Sequence, residues 1–281
     1  MRHEYSEKMA KTVASVLANK LEIPTNEQPR FGLVLGTGWG DALKLEGERS
    51  LPFGNLPGFE QLGTLTGHLR HVVYGKLDGT PVIALRGRVH LNEHPVPNLA
   101  FMGMVRLQIE MLLQLGVKRL ILICAAGSLA DDVKVGSLML IDGFVTLYAP
   151  DMPLFGGEFC SPEDTIDQAW VDQMWVHQRT VQRGTHKRGY VMVRGPYFEG
   201  RQYDKALLRD SNACAVGMSM LPEACIAALY QTDGVRVLPV AFITNSAIEE
   251  HAREEHVRRV REASSKLGTF LTDAIKLDKK D

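Results

Sequence analysis

The chain has no apolar run that could cross a bilayer. Its most hydrophobic stretch, Leu120 to Ala126, falls far short of the ~20 residues a spanning helix needs. Cysteine is scarce and unpaired in spacing: Cys124, Cys160, Cys214 and Cys225 are far apart. That pattern excludes a disulfide framework and a cysteine-paired metal site, and it reads as reduced, mostly buried thiols in a reducing compartment. Excess charge of either sign is also missing. A net charge of −1 gives no overall attraction to nucleic acid or anionic lipid. Met1 to Tyr5 lead straight into an amphipathic pattern and not into an apolar signal core. No internal repeat, low-complexity tract or linker is visible. These absences set the expectation of a cytoplasmic protein folded as one domain over residues 1–281, with no nucleic-acid or membrane partner. Hydrophobic residues at 45% and charged residues at 23% are ordinary for a globular chain able to bury a large core.

Apolar periodicity supplies the elements. Tyr5, Met9, Val13, Val16, Leu17 and Leu21 recur at helical spacing, and Pro24 stops that helix. Phe31 to Gly36 reads as a buried strand running into the turn Gly36-Thr37-Gly38-Trp39-Gly40. His71 to Leu77 and Pro81 to Leu85 form a hairpin around Asp78-Gly79. A helical stripe from Leu99 to Leu113 closes at Gly116. Strands are expected at Arg119–Cys124, Ser137–Val145, Tyr190–Arg194, Ala213–Val216 and Val235–Ile243. A helix is expected over Glu223–Tyr230, and one amphipathic C-terminal helix through Val257, Val260, Leu267, Phe270, Leu271 and Ile275. Residues 149–170, rich in Pro, Gly and Asp, read as a long functional loop. Alternation of strands and helices places the chain in the α/β class.

Seven candidate groups stand out, several of them just after strand ends, where α/β sheets place their ligands. The glycine turn at 36–40, with the Thr37 hydroxyl, reads as an anion cradle or as a structural tight turn. It lacks both dinucleotide spacing and the lysine of a nucleotide P-loop. His68 after Gly67 is a second candidate, catalytic or structural. Arg86-Gly87-Arg88-Val89-His90 with Glu93 offers a guanidinium fork for phosphate, or a solvated strand end. Ala125-Ala126-Gly127 allows close approach of a ligand, or close packing. Gly195-Pro196-Tyr197-Phe198-Glu199 sets an aromatic beside a carboxylate, suited to a base, although a surface loop has the same composition. Val216-Gly217-Met218-Ser219 and Thr244-Asn245 complete the series.

Together, Gly-Thr-Gly-x-Gly, Gly-His, Gly-Arg-x-His with Glu93, Ala-Ala-Gly-Ser, Gly-Pro-x-Phe-Glu, Val-Gly-Met-Ser-x-x-Pro-Glu and Ile-Thr-Asn resemble the trimeric purine nucleoside phosphorylase family. The resemblance covers residues 31–129 and 188–247 well, and 130–187 poorly. It implies a mixed, partly barrel-like central β-sheet flanked by helices in a single domain, assembled as a homotrimer. It also implies phosphorolysis of purine nucleosides with inorganic phosphate as co-substrate and no cofactor or metal. By matching positions, Thr37, His68, Arg88, the backbone at Ala125 and Ser219 would hold phosphate. Phe198 would stack on the base, and Glu199 and Asn245 would bind its edge. Met218, Tyr190, Asn92 and Arg253 would face ribose, and His90 with Glu93 would support the phosphate and sugar region. Asn245, Glu199 and His90 are the expected catalytic set.

Three positions depart from the family. Asn92 stands where a tyrosine is usual. The loop that normally reaches a neighbour's site is reduced to Ala149–Phe155, with Phe155 the expected aromatic. The usual 5′-hydroxyl histidine has no clean match; Arg253 falls there, near His251 and His256. Two other readings stand beside this one. A 5′-methylthioadenosine phosphorylase would usually carry aspartate at position 245, and a nucleoside-binding protein of the same fold would have lost turnover.

Overall fold

The computed structural model describes residues 2–37, 39–40, 43–65, 68–93, 99–149, 151–181, 185–195, 199–200, 202–246 and 253–278. Nine strands among them form one mixed sheet: β1 (Phe31–Leu35), β2 (Glu46–Pro52), β3 (His71–Leu77), β4 (Thr80–Arg86), β5 (Arg119–Ser128), β6 (Leu138–Val145), β7 (Thr185–Met192), β8 (Ala215–Gly217) and β9 (Arg236–Asn245). Their order is β2-β3-β4-β1-β5-β8-β7-β6-β9, and β9 also pairs with β5. That last pairing closes β5, β8, β7, β6 and β9 into a five-stranded barrel, with β1 to β4 as an open arm. The α/β class and partly closed sheet expected from the sequence are therefore observed. No described helix is long and apolar enough to cross a membrane.

Local chemistry explains the arm. Asp78 and Gly79 both adopt positive φ (51° and 71°), the turn that matches strand twist in a two-residue hairpin. β1 is buried at all five positions, as a strand covered on both faces must be. β2 was not expected. It is a mostly exposed edge strand with charged residues and a terminal proline, so it carries no apolar alternation to read.

Seven α-helices among the described residues flank the sheet: α1 (Glu4–Lys20), α2 (Leu99–Gln114), α3 (Gln168–Val181), α4 (Asp204–Asp210), α5 (Leu221–Ala228), α6 (Arg253–Glu262) and α7 (Ser264–Asp278). α1 and α2 pack together, and α3 packs on α7. Two expectations fail here. The expected C-terminal helix is two helices separated at Ala263, and the irregular segment from 149 gives way to α3 at Gln168. α3 anchors through Trp170, Val171 and Met174 while Val176 and Val181 stay exposed, which blurs its periodicity.

A charge network without solvent exposure ties the N-terminus to this framework. The Arg106 guanidinium bridges Glu110 (Nε–Oε1 2.9 Å) and Glu158 (Nη2–Oε1 2.8 Å), and all three side chains are 0–1% exposed. Glu110 also accepts from Ser6 Oγ (2.5 Å) and Tyr230 Oη (3.0 Å). Glu158 accepts from the backbone N–H of His3 (2.7 Å) and Phe155 (2.9 Å). Burial pushes the Glu158 carboxyl up, but Arg106 and these N–H donors outweigh it and hold it below the ordinary range. Phe155 is thereby turned into its own chain, edge-on to His3 (5.6 Å) and beneath Arg106 (5.3 Å). The exposed aromatic of the loop is Phe159, at 90%.

Arg106→Met would leave two buried carboxylates without their cation. It is expected to lower stability by about 3–5 kcal/mol, read as the urea midpoint at pH 7. Because Glu158 is depressed, its contribution is full above the unfolded carboxylate value and fades as pH falls through the folded one. The wild-type advantage over Glu158→Gln should therefore shrink on acidification below about pH 4.3.

Candidate active site

The parallel strands β4, β1, β5 and β9 share a direction, so their C-terminal ends meet along one edge. A cleft of about 290 Å³ opens there. Thr37, His68, Arg88, His90, Asn92, Ala125, Glu199, Met218, Ser219 and Asn245 all line it. Seven motifs scattered over more than two hundred residues are thus gathered by strand ends and the loops beside them.

Close backbone approaches set the floor. A Cβ on Gly36 would lie 3.0 Å from the Ile123 carbonyl, so β1 exits tightly against β5. Gly87 ends β4 at φ 97°, and a Cβ there would meet His68 Cβ at 2.8 Å. The glycine lets the 68–70 segment cross over β4 and deliver His68 to the cleft. His68 Nδ1 accepts the Arg88 backbone N–H (3.1 Å), which assigns the proton to Nε2. Nε2 then faces Thr37 Oγ1 at 3.0 Å and His90 Nε2 at 3.2 Å.

His90 follows the break in β4. Burial pushes it well below the ordinary histidine value, and the neighbouring His68, Arg88 and Arg70 add to this against a bond to the Met218 backbone. It is neutral at pH 7. Its backbone N–H donates to Glu93 Oε1 (2.7 Å), and the other Glu93 oxygen pairs with Arg70. Glu93 therefore shapes the turn that carries His90.

Arg88 is not a solvated strand end: its side chain is 0% exposed. Nη1 donates to Glu223 Oε1 (2.6 Å), and Nη2 donates to the carbonyls of Val34 (3.2 Å) and Ile123. Nε is buried without a partner. Glu223 sits in the first turn of α5, within the Val-Gly-Met-Ser-x-x-Pro-Glu motif, and no role was expected of it. Cys124, also on the lining, was missed as well. Burial pushes its thiol up to about 12, so it forms wall and not a nucleophile.

Ser219 is presented by a strained turn. Met220, the residue before α5, has φ 77°, where a side chain with a Cβ is costly. Tyr190 supports that turn from below, its hydroxyl donating to the Ser219 carbonyl (3.0 Å). A Cβ on Gly217 would meet the same hydroxyl at 2.5 Å. Tyr190 is fully buried and absent from the lining, so the expected ribose contact is corrected to a buttress.

At β9 a bulge between the Ala126 and Gly127 registers lets Gly127 pair with Asn245. The Asn245 amide lies against Gly127, whose Cβ would come within 3.0 Å of Nδ2. Its oxygen accepts from Thr244 Oγ1 (3.3 Å), and among the described residues its Nδ2 reaches the Ser246 carbonyl at 3.5 Å. Across the cleft, Glu199 is paired with Lys205, a residue nothing in the sequence marked. Asn92 accepts the Gly195 N–H (3.3 Å) and so ties the 91–93 turn to the loop before Glu199. Phe198 lies outside the described residues, as does His251. Arg253 begins α6, but its side chain and that of His256 lie outside the description too.

Removing Arg88 strands Glu223 in the interior. Arg88→Met should cost about 3–5 kcal/mol in urea unfolding, while Arg88→Met with Glu223→Leu should regain most of it, because neither charge is then left buried. Equal stability of wild type and Arg88→Met would show that the pair does not hold the floor.

Residues 30–276 match the sequence model of the phosphorylase superfamily. Purine nucleoside phosphorylase from Bos taurus is 30% identical over 267 residues, covering 88% of this chain and 89% of its own. Purine nucleoside phosphorylase 1 from Bacillus subtilis is 30% identical over 228 residues, covering 79% and 80%. Among solved structures, Schistosoma mansoni purine nucleoside phosphorylase in complex with inosine superposes with a TM-score of 0.79 at 23% identity, covering 95% of each chain. The same protein in complex with adenosine gives 0.77 at 23% identity, over 98% and 97%. With the strand-end cleft already in place, these matches assign the chain to the phosphorylase superfamily and, within it, to the purine nucleoside phosphorylases, a family of pentosyltransferases.

Proposed function

We propose that the cleft binds inorganic phosphate beside a 6-oxopurine ribo- or deoxyribonucleoside and transfers the pentosyl group to phosphate. The products are the free base and a pentose 1-phosphate, and the reaction class fits purine salvage. The observation that carries this reading is the meeting, in one cleft, of hydroxyl and N–H donors suited to an anion with a carboxylate and an amide suited to a purine edge. The first has the Thr37 hydroxyl, His68 Nε2–H, the unpartnered Arg88 Nε–H, the backbone at Ala125 and Ser219. The second has Glu199 and Asn245, with Phe198 assigned to the base by family resemblance.

The residue chemistry supplies the steps. The bond between the anomeric carbon and N9 breaks, and its electron pair leaves with the base. A phosphate oxygen forms the new bond from the opposite face, where its charge also stabilises the cationic sugar. Asn245 Nδ2 donates to N7 and stabilises the departing negative charge; its present acceptor is distant at 3.5 Å. A preorganised donor of this kind is worth about 3–4 kcal/mol by removal. Glu199, ionised, accepts from N1–H of a 6-oxopurine. Adenine presents an acceptor at N1, so two acceptors would face each other. Met218 packs beside the sugar, with Asn92 holding the loop opposite. His90, neutral, relays hydrogen bonds through His68. Nothing in these steps calls on a metal or organic cofactor.

The reading extends to a cytoplasmic homotrimer. Phe159, exposed in this chain, is the aromatic free to reach a neighbouring sugar site, because Phe155 is held inward. Sedimentation at micromolar concentration is expected to give a trimer, and a monomer would contradict it. Phe159→Ser should then raise the nucleoside KM with little change in phosphate KM.

The decisive assay is a nucleoside panel with and without phosphate. Hypoxanthine release from inosine should require phosphate, and inosine should exceed adenosine in kcat/KM by on the order of 10²–10⁴. Asn245→Asp should narrow that ratio, since a protonated carboxyl can donate to N7 and a carboxylate can accept from a 6-amino group. Phosphate-independent release, or equal rates on both nucleosides, would overturn the assignment.

A further inference from the structure

His68 and His90 meet on the cleft wall although neither lies in a strand. Their rings stand edge to face with centroids 4.8 Å apart, and their Nε2 atoms are 3.2 Å apart. His68 precedes β3 and His90 follows β4. The β3–β4 ladder ends with His71 opposite Arg86, so both histidines leave from its open end. What lies beyond that last pair is not set by strand pairing. One hydrogen bond between neutral rings is too weak to hold two loop segments in register. A stronger link is needed, and Arg70 supplies it.

Arg70 is the first residue beyond the ladder, and it adopts φ 55°, a conformation costly for a residue with a Cβ. Backbone and side chain both hold it there. Its N–H donates to the Arg86 carbonyl (2.7 Å), and its own carbonyl accepts the Phe53 N–H (2.8 Å). The guanidinium is 6% exposed. Its Nη1 donates to the Gly63 carbonyl and its Nη2 to Glu93 Oε2. The first bond closes the segment from Gly63 to Arg70, within which the His68 N–H donates to the Leu65 carbonyl (3.1 Å). The second reaches the carboxylate whose other oxygen accepts the His90 N–H (2.7 Å). One forked cation thus grips the His68 segment and the His90 turn together. Gly87 leaves room for the crossing, since a Cβ there would lie 3.0 Å from His68 Cα and 3.1 Å from the Arg70 nitrogen.

We infer that Arg70 is a positioning residue for phosphate: its guanidinium joins the segment carrying His68 to the turn carrying His90, and so fixes the His68 Nε2–H that meets the anion. This rests on the assignment of His68 to phosphate. Arg70 is absent from the cleft lining and touches no substrate. It acts through geometry, because a donor aimed at an anion works only where the anion sits. Without the guanidinium the Gly63–Arg70 segment loses its closure, and Glu93 loses the partner that holds it against the His90 N–H. His68 would then be presented over a range of positions, and phosphate would bind less tightly.

The test measures phosphate KM and inosine KM for wild type, Arg70→Gly and Arg70→Lys at neutral pH. Glycine accepts the left-handed backbone freely, so Arg70→Gly removes the guanidinium and spares the turn. Its phosphate KM should rise about 10–100-fold, the range of one hydrogen bond to a charged group. Its inosine KM at saturating phosphate should stay within about twofold, a split that general damage to the cleft would not produce. Arg70→Lys keeps a cation for Glu93 but has no fork to reach the Gly63 carbonyl as well, so its phosphate KM should fall between the other two. In a His68→Ala background, either Arg70 substitution should add little to the phosphate KM, because the donor it positions is already gone. If Arg70→Gly does not fold, Arg70→Lys with and without His68→Ala gives the same reading. An unchanged phosphate KM, equal rises in both KM values, or losses fully additive with His68→Ala would overturn the inference while leaving phosphorolysis intact. A His68→Ala protein with wild-type phosphate KM would remove the underlying assignment instead.

Discussion

A guanidinium with no solvent exposure must have its charge answered within the fold, and Arg88 is answered by Glu223 from the first turn of α5. The same group ties down the β1 and β5 carbonyls at Val34 and Ile123. One side chain from the end of β4 therefore joins three strands to the helix that follows Ser219. The remaining cleft geometry hangs on this junction. Arg88's backbone N–H sets the His68 tautomer, and His68 orders Thr37 and His90. On the far side, the turn before α5 is held by the Tyr190 hydroxyl. A buried pair is weak support for stability by itself. Its value here is register: it leaves Arg88 Nε without a partner at the cleft wall.

Barrel closure does the same for the Asn245 side of the cleft. β9 pairs with β5 along its whole length and meets β6 on its other edge, so the end of β9 cannot drift. The bulge between Ala126 and Gly127 turns Asn245 toward the cleft, and Gly127 leaves room for its amide. Glu199 comes from a loop and lacks that rigidity. It is held by contacts to Lys205, by the Gly200–Asp204 turn, and by the Asn92–Gly195 bond beside it. Asn92, read from the sequence as a departure on the sugar side, also acts as a loop anchor.

How much was legible follows from which interactions are local. β1, the β3–β4 hairpin, α1 and α2 carry strong periodicity and punctuation, and they form as read. β2 and α3 lie at the edge or half in solvent, and their apolar pattern is too thin. Ala263 divides the C-terminal helices without a proline or glycine to announce it. In the cleft, most motifs follow a strand end, while His68 comes from the segment before β3, and Thr37, His68, Arg88, His90, Ala125, Met218, Ser219, Glu199 and Asn245 are brought together as the pattern suggested. The pairing of Glu223 with Arg88 was illegible because it joins distant segments, and that of Lys205 with Glu199 because it depends on how residues 200–205 fold back. Tyr190 was placed by resemblance near the sugar, yet a fully buried hydroxyl with a backbone acceptor is a support. The same limit applies to Phe155, since the Arg106–Glu158 network that turns it inward spans distant segments.

The central claim is that one cleft holds an anion and a purine edge side by side. A crystal structure with phosphate and hypoxanthine bound together tests it most directly. The expected result is phosphate within hydrogen-bond distance of Thr37, His68 and the Arg88 Nε–H, with Arg88 still paired to Glu223. The base should lie between Glu199 and Asn245, its N1 toward the carboxylate and N7 toward the amide. Phosphate bound away from the 36–37 turn, or a base whose N1 and N7 edges meet neither Glu199 nor Asn245, would contradict it.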